Sequence, residues 1–89
     1  MSVSGEFQRI LADTVAFLRR SEADGATTLA RGLADAGVHA RDDLADGAAR
    51  VVDLLEGHEP RKAANPLEAR EFDGQAAHLR AICRAILGR

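Results

Sequence analysis

Residues 34 to 47 read Ala-Asp-Ala-Gly-Val-His-Ala-Arg-Asp-Asp-Leu-Ala-Asp-Gly, and the fold turns on whether this stretch interrupts a helix or runs through the middle of one. It carries Asp35, His39, Asp42, Asp43 and Asp46, with Gly37 and Gly47 and almost nothing large and apolar. At about 100° per residue, Arg31, Asp35, His39, Asp42, Asp46, Arg50 and Asp53 fall within an arc of roughly 100°. Leu29, Leu33, Ala36, Ala40, Leu44, Ala48, Val51 and Leu55 fall opposite. A turn would be expected to reset that phase, and none is visible, so the leading expectation is one long helix over 26–56. It would be roughly 45 Å long. The alternative is two helices broken near Gly37–Arg41, with Gly37 as a left-handed C-cap residue, Val38 contacting Leu33, and Asp42 or Asp43 capping the second helix.

Two further helices flank this segment. Phe7, Ile10, Leu11, Thr14, Val15, Phe17 and Leu18 recur at three- and four-residue spacing, which predicts a helix over about 5–22. Ser4 is its expected N-cap, and Arg19 and Arg20 suit the negative end of its dipole. Asp24-Gly25 reads as a turn, with Asp24 able to cap the next helix. Asn65, Pro66 and Glu68 spell a capping box for a helix over 66–87 that buries Phe72, Ala76, Leu79, Ile82, Cys83 and Ile86 and stops at Gly88. Gly57 to Ala64 is a polar connection. The expectation is therefore an all-α single domain over 1–89, a small bundle of three helices with a long central one; four helices is the alternative.

Composition limits what such a bundle can do. Eighty-nine residues, with eighteen alanines, three Phe and neither Trp nor Tyr, give a thin core of Leu, Ile and Val, so burial supplemented by self-association is expected. Cys83 is the only cysteine, which excludes an intrachain disulfide and a tetrathiolate zinc site. No apolar run reaches the roughly 20 residues of a membrane span, and Met1 to Glu6 lacks the pattern of a signal peptide, so a soluble, unprocessed, cytoplasmic chain is expected. Eleven of the twelve basic residues are Arg, which with the alanine excess suggests high-GC bacterial coding.

Net charge is −2, with eight acids against three Arg in residues 24–59 and six bases against three acids in residues 60–89. A nucleic-acid surface would draw on Arg61, Lys62, Arg70, Arg80, Arg84 and Arg89, but the net negative charge and missing Tyr and Trp argue against it. His39 with Asp42, Asp43 and Asp46 is the nearest approach to a metal-ligand set. Without a facing helix it reads as a solvated stripe, with ion pairs His39–Asp43, Asp46–Arg50 and Arg31–Asp35. His78 and Cys83 diverge by about 140° around their helix and cannot pair as base and nucleophile. Cys83 is expected to be inert packing, and His78 a boundary residue beside Glu71. No metal, cofactor or catalytic residue is assigned. Ala77-His78-Leu79-Arg80-Ala81 resembles, over those five residues, the motif around the phosphorylated histidine of histidine phosphotransfer domains, which are helical bundles; Ala81 stands where that family has glycine.

The strongest functional pointer lies on the last helix. Gly74, Ala77, Ala81 and Ala85 line the side opposite its large apolar face, bordered by Arg70, Arg80 and Arg84. Such a helix can pack against two neighbours, one at close backbone distance. The expected function is a non-catalytic protein–protein interaction module, a homodimerising regulatory or adaptor protein, with the acidic middle segment of a second copy as one suitable partner. The alternatives are a nucleic-acid-binding bundle, a ligand- or metal-binding bundle, and a phosphotransfer-like protein.

Overall fold

A computed structural model describes residues 2–21, 25–57 and 66–88. Four helices account for nearly all of them: α1 Val3–Arg20, α2 Ala26–Asp42, α3 Leu44–Gly57 and α4 Pro66–Leu87. The all-α bundle is as expected, and the helix count is four. The long central helix is thereby corrected: its place is taken by α2 and α3, and the molecule's longest dimension is 34 Å.

The break lies at Asp43, beyond the Gly37–Arg41 stretch of the four-helix alternative. Asp43 alone is extended (φ −143°, ψ 100°) and serves both helices. Its backbone N–H donates to the His39 carbonyl and closes α2, while its side-chain Oδ1 accepts the Asp46 N–H, 3.2 Å away, and opens α3. Gly37 is helical and buried. Because only one residue leaves the helical conformation, the apolar phase passes the corner almost unchanged. Periodicity records rotation about an axis and is blind to a reversal of the axis. Asp43→Ala removes the cap on α3 and is expected to cost about 1 kcal/mol in denaturant unfolding, whereas Asp43→Asn, which keeps a capping oxygen, should lose little.

Past the corner, α2 and α3 run back along each other. A Cβ placed on Gly47 would lie 2.3 Å from the Ala40 Cβ and 2.6 Å from its Cα, and one on Gly32 would lie 2.9 Å from Leu54 Cδ2. Residues at equal or nearly equal distances from Asp43 thus face each other, the signature of an antiparallel hairpin. Small residues in this stretch serve close approach. Ala40 meets α3, and Gly37 meets α1, where its carbonyl accepts a 3.0 Å hydrogen bond from the Gln8 side chain.

α1 starts two residues earlier than expected, capped by Ser2 instead of Ser4, because the Ser2 Oγ is placed to accept the Gly5 N–H (3.1 Å). It ends at Arg20. Gly25, with φ +82°, occupies the N-cap of α2 in place of Asp24 and turns the chain where a residue with a Cβ would be strained. Pro66 is the first residue of α4, and Gly88, at φ +71°, follows its end. The Asn65 cap, Asp24 and the connection over 58–64 lie outside the described residues.

Each helix contacts its two neighbours in the order α1, α2, α3, α4 and back to α1. Ser21, at the end of α1, hydrogen-bonds Glu68, at the start of α4, so these two also run antiparallel. The result is an up-down-up-down four-helix bundle. All seven apolar-face residues expected of α1 are buried, and Leu29, Leu33, Val51, Leu55, Leu79 and Cys83 complete the centre. Thr14, the one buried polar residue among those described in the core, bonds back to the Ile10 carbonyl at 2.9 Å.

Candidate interaction surface

The residues with the most chemical potential are dispersed. Asp35 pairs with His39 at 3.5 Å and Asp46 with Arg50 at 2.9 Å, all four substantially exposed. The second pair is the one expected. The His39–Asp43 and Arg31–Asp35 pairs do not form, since Asp43 turns its carboxylate to the N-terminus of α3 and Asp35 faces His39. Among the described residues no three His, Cys, Asp or Glu side chains converge on a point that could hold a metal ion. Cys83 is buried, and burial pushes its thiol up to about 11, which suppresses the reactive thiolate. His78 is exposed.

α4 presents two unlike faces. Ala76, Leu79, Ile82 and Cys83 are buried against the other helices, while Gly74, Ala77, Ala81 and Ala85 on the opposite side are exposed. A Cβ on Gly74 would meet nothing within 4 Å, so no close approach inside the chain requires glycine there. Gly74→Ala is accordingly expected to stabilise the isolated chain by up to about 1 kcal/mol, read as a higher midpoint in urea.

The three bordering arginines separate into two kinds. Arg70 and Arg84 are exposed, whereas Arg80 is half-buried and donates to the Leu55 carbonyl at 3.3 Å, tying α4 to the end of α3. Asp73 is exposed on the same side of α4, so the outward face reads Arg70, Asp73, small residues, Arg84. Counting the basic excess of the segment hides Asp73. That excess rests on Arg61, Lys62 and Arg89, outside the described residues; within α4 three Arg meet three acids. Gln75 is a second residue the sequence does not flag: its buried Oε1 has no hydrogen-bond partner among the described residues.

Two open cavities flank α1. One, of about 280 Å³, runs between α1 and α2 over Ala12, Ala16, Ala34 and Val38, with Arg19 and Arg41 on its walls. The other, of about 350 Å³, lies between α1 and α4 beside Phe17, Leu67 and Glu71. Among the described residues no helix is long and apolar enough to cross a membrane.

These features define a small antiparallel four-helix bundle with a bare small-residue face on its last helix. Compared with known protein families, with curated proteins and with solved structures, the chain matches none of them.

Proposed function

We propose that this protein is a non-catalytic interaction module that self-associates and acts as a small regulatory or adaptor protein, working in the cytoplasm of a bacterial cell. The observation that supports the reading is the two-faced α4: one side completes the core, and the other offers an exposed strip of Gly and Ala over three turns. Packed helices lie about 8–10 Å apart according to the side chains at the contact, and Gly and Ala permit the near end of that range. A thin, alanine-rich core gains most from added burial of this kind.

The test is sedimentation equilibrium of the wild-type chain from about 1 µM to about 1 mM. The reading expects a monomer–dimer equilibrium within that range. A monomer throughout counts against self-association.

A further inference from the structure

We infer that two copies of this chain pair through α4, antiparallel and related by a two-fold axis at the level of His78 and Leu79, with Asp73 of each copy facing Arg84 of the other. The inference rests on the self-association reading and specifies the surface that carries it.

Its basis is a charge pattern that complements itself. Asp73 and Arg84 are both exposed, and neither has an ion-pair or hydrogen-bond partner among the described residues. At about 100° per residue they lie within roughly 20° of each other around α4 and about 16 Å apart along it. Both sit toward α3, the side from which Arg80 reaches the Leu55 carbonyl. Midway between them, Ala77 and Ala81 straddle the outward line of the helix and are exposed. Gly74 and Ala85 repeat the relation on the other edge, again about 20° apart and eleven residues from each other.

A two-fold axis perpendicular to the plane of two antiparallel helices keeps a residue's lateral side and inverts its height. Applied at the His78–Leu79 level, it brings Arg84 of one copy to Asp73 of the other, Ala85 to Gly74, and Ala81 to Ala77. Asp73 and Arg84 then meet opposite charges and Gly74, Ala77, Ala81 and Ala85 meet small side chains, while the two exposed His78 side chains lie beside the axis at the opposite edge from the charges. The contact is isologous and closes at two copies, so it does not propagate into a filament. A parallel pairing keeps heights and exchanges lateral sides, so Asp73 and Arg84 of the two copies would lie on opposite edges of the contact and neither charge would meet its opposite. Arg70 lies about a turn beyond Asp73, past the end of the matched segment.

Three variants test the register: Asp73→Arg, Arg84→Asp, and the double charge swap Asp73→Arg/Arg84→Asp. All positions are exposed, and circular dichroism melts verify that each variant folds. Each single reversal converts two attractive contacts into two repulsive ones and is expected to weaken the dimer about tenfold or more in sedimentation equilibrium at low salt. The double swap is expected to restore it. An equimolar mixture of the two single variants is expected to form a heterodimer in which every facing pair is again opposite in charge. A wild-type dimer indifferent to both single reversals would overturn this interface while leaving self-association standing. Single variants that dissociate without recovery in the double swap or the mixture overturn the antiparallel register. A monomeric wild type removes the inference and the self-association reading together.

Discussion

Gly47→Ala is expected to destabilise the fold by about 3 kcal/mol, an effect far larger than one methyl group normally has on a helix. In a solvated helix the change is favourable by about 1 kcal/mol, because Ala restricts the unfolded chain and Gly does not. Here the new Cβ would meet the Ala40 Cβ, Cα and backbone N at 2.3, 2.6 and 2.8 Å. No rotamer relieves a clash with backbone. The contact is also three and four residues from the corner at Asp43, where the two helices are joined by a single residue and have no linker slack with which to separate. For a domain of this size the loss corresponds to a fall in Tm of about 12–24 °C. Gly32→Ala and Gly37→Ala are the controls: each new Cβ meets the flexible end of a leucine at 2.9 Å, and each change is expected to stay within about 1 kcal/mol. Thermal melts in which Gly47→Ala is as mild as these two would show that α2 and α3 do not approach as described.

Phe7→Ala is expected to have the second large effect, about 3–5 kcal/mol. Phe7 is completely buried, and Phe17 and Phe72 are the only other phenylalanines in a chain without Trp or Tyr. Much of the remaining core is alanine, which fills space through backbone proximity and cannot expand into a void. The cavity left by the ring therefore stays open, and the cavity penalty adds to the lost transfer free energy. A domain of this length has a total stability of roughly 4–13 kcal/mol, so the variant is expected to be partly unfolded at 37 °C. Phe72→Ala, at a half-buried position, should cost clearly less. Equal losses at Phe7 and Phe72 in denaturant titrations would contradict the placement of the core.

Inward-facing side chains were readable from the sequence because burial imposes a 3.6-residue period on each helix separately. The stripes on α1 and α4 and the apolar positions of α2 and α3 all follow that period. The corner was not readable, since a one-residue interruption barely perturbs the phase. Its signature is a capping aspartate followed three residues later by another acid, and the second aspartate of the Asp42-Asp43 pair bears it. Turn chemistry located it better than the missing phase reset did. The candidate surface was half legible: Gly74, Ala77, Ala81 and Ala85 were identifiable as the outward strip, and Arg84 as its border. Asp73 was obscured because net charge over a segment averages away the alternation along one face. Arg80 looked like a free border cation, and only the proximity of Leu55 brought by folding gives it a carbonyl to bind.

The corner at Asp43 also bears on the order in which the chain assembles. Ala40 and Gly47 are seven residues apart in sequence, and Gly32 and Leu54 twenty-two, so the α2–α3 contacts can close outward from the corner, each short step preparing the next. Short loops cost the least closure entropy, and rates rise as contacts become more local. By contrast, Ser21 and Glu68 must find each other across forty-seven residues. The hairpin is thus expected to form first and the joining of α4 to α1 last.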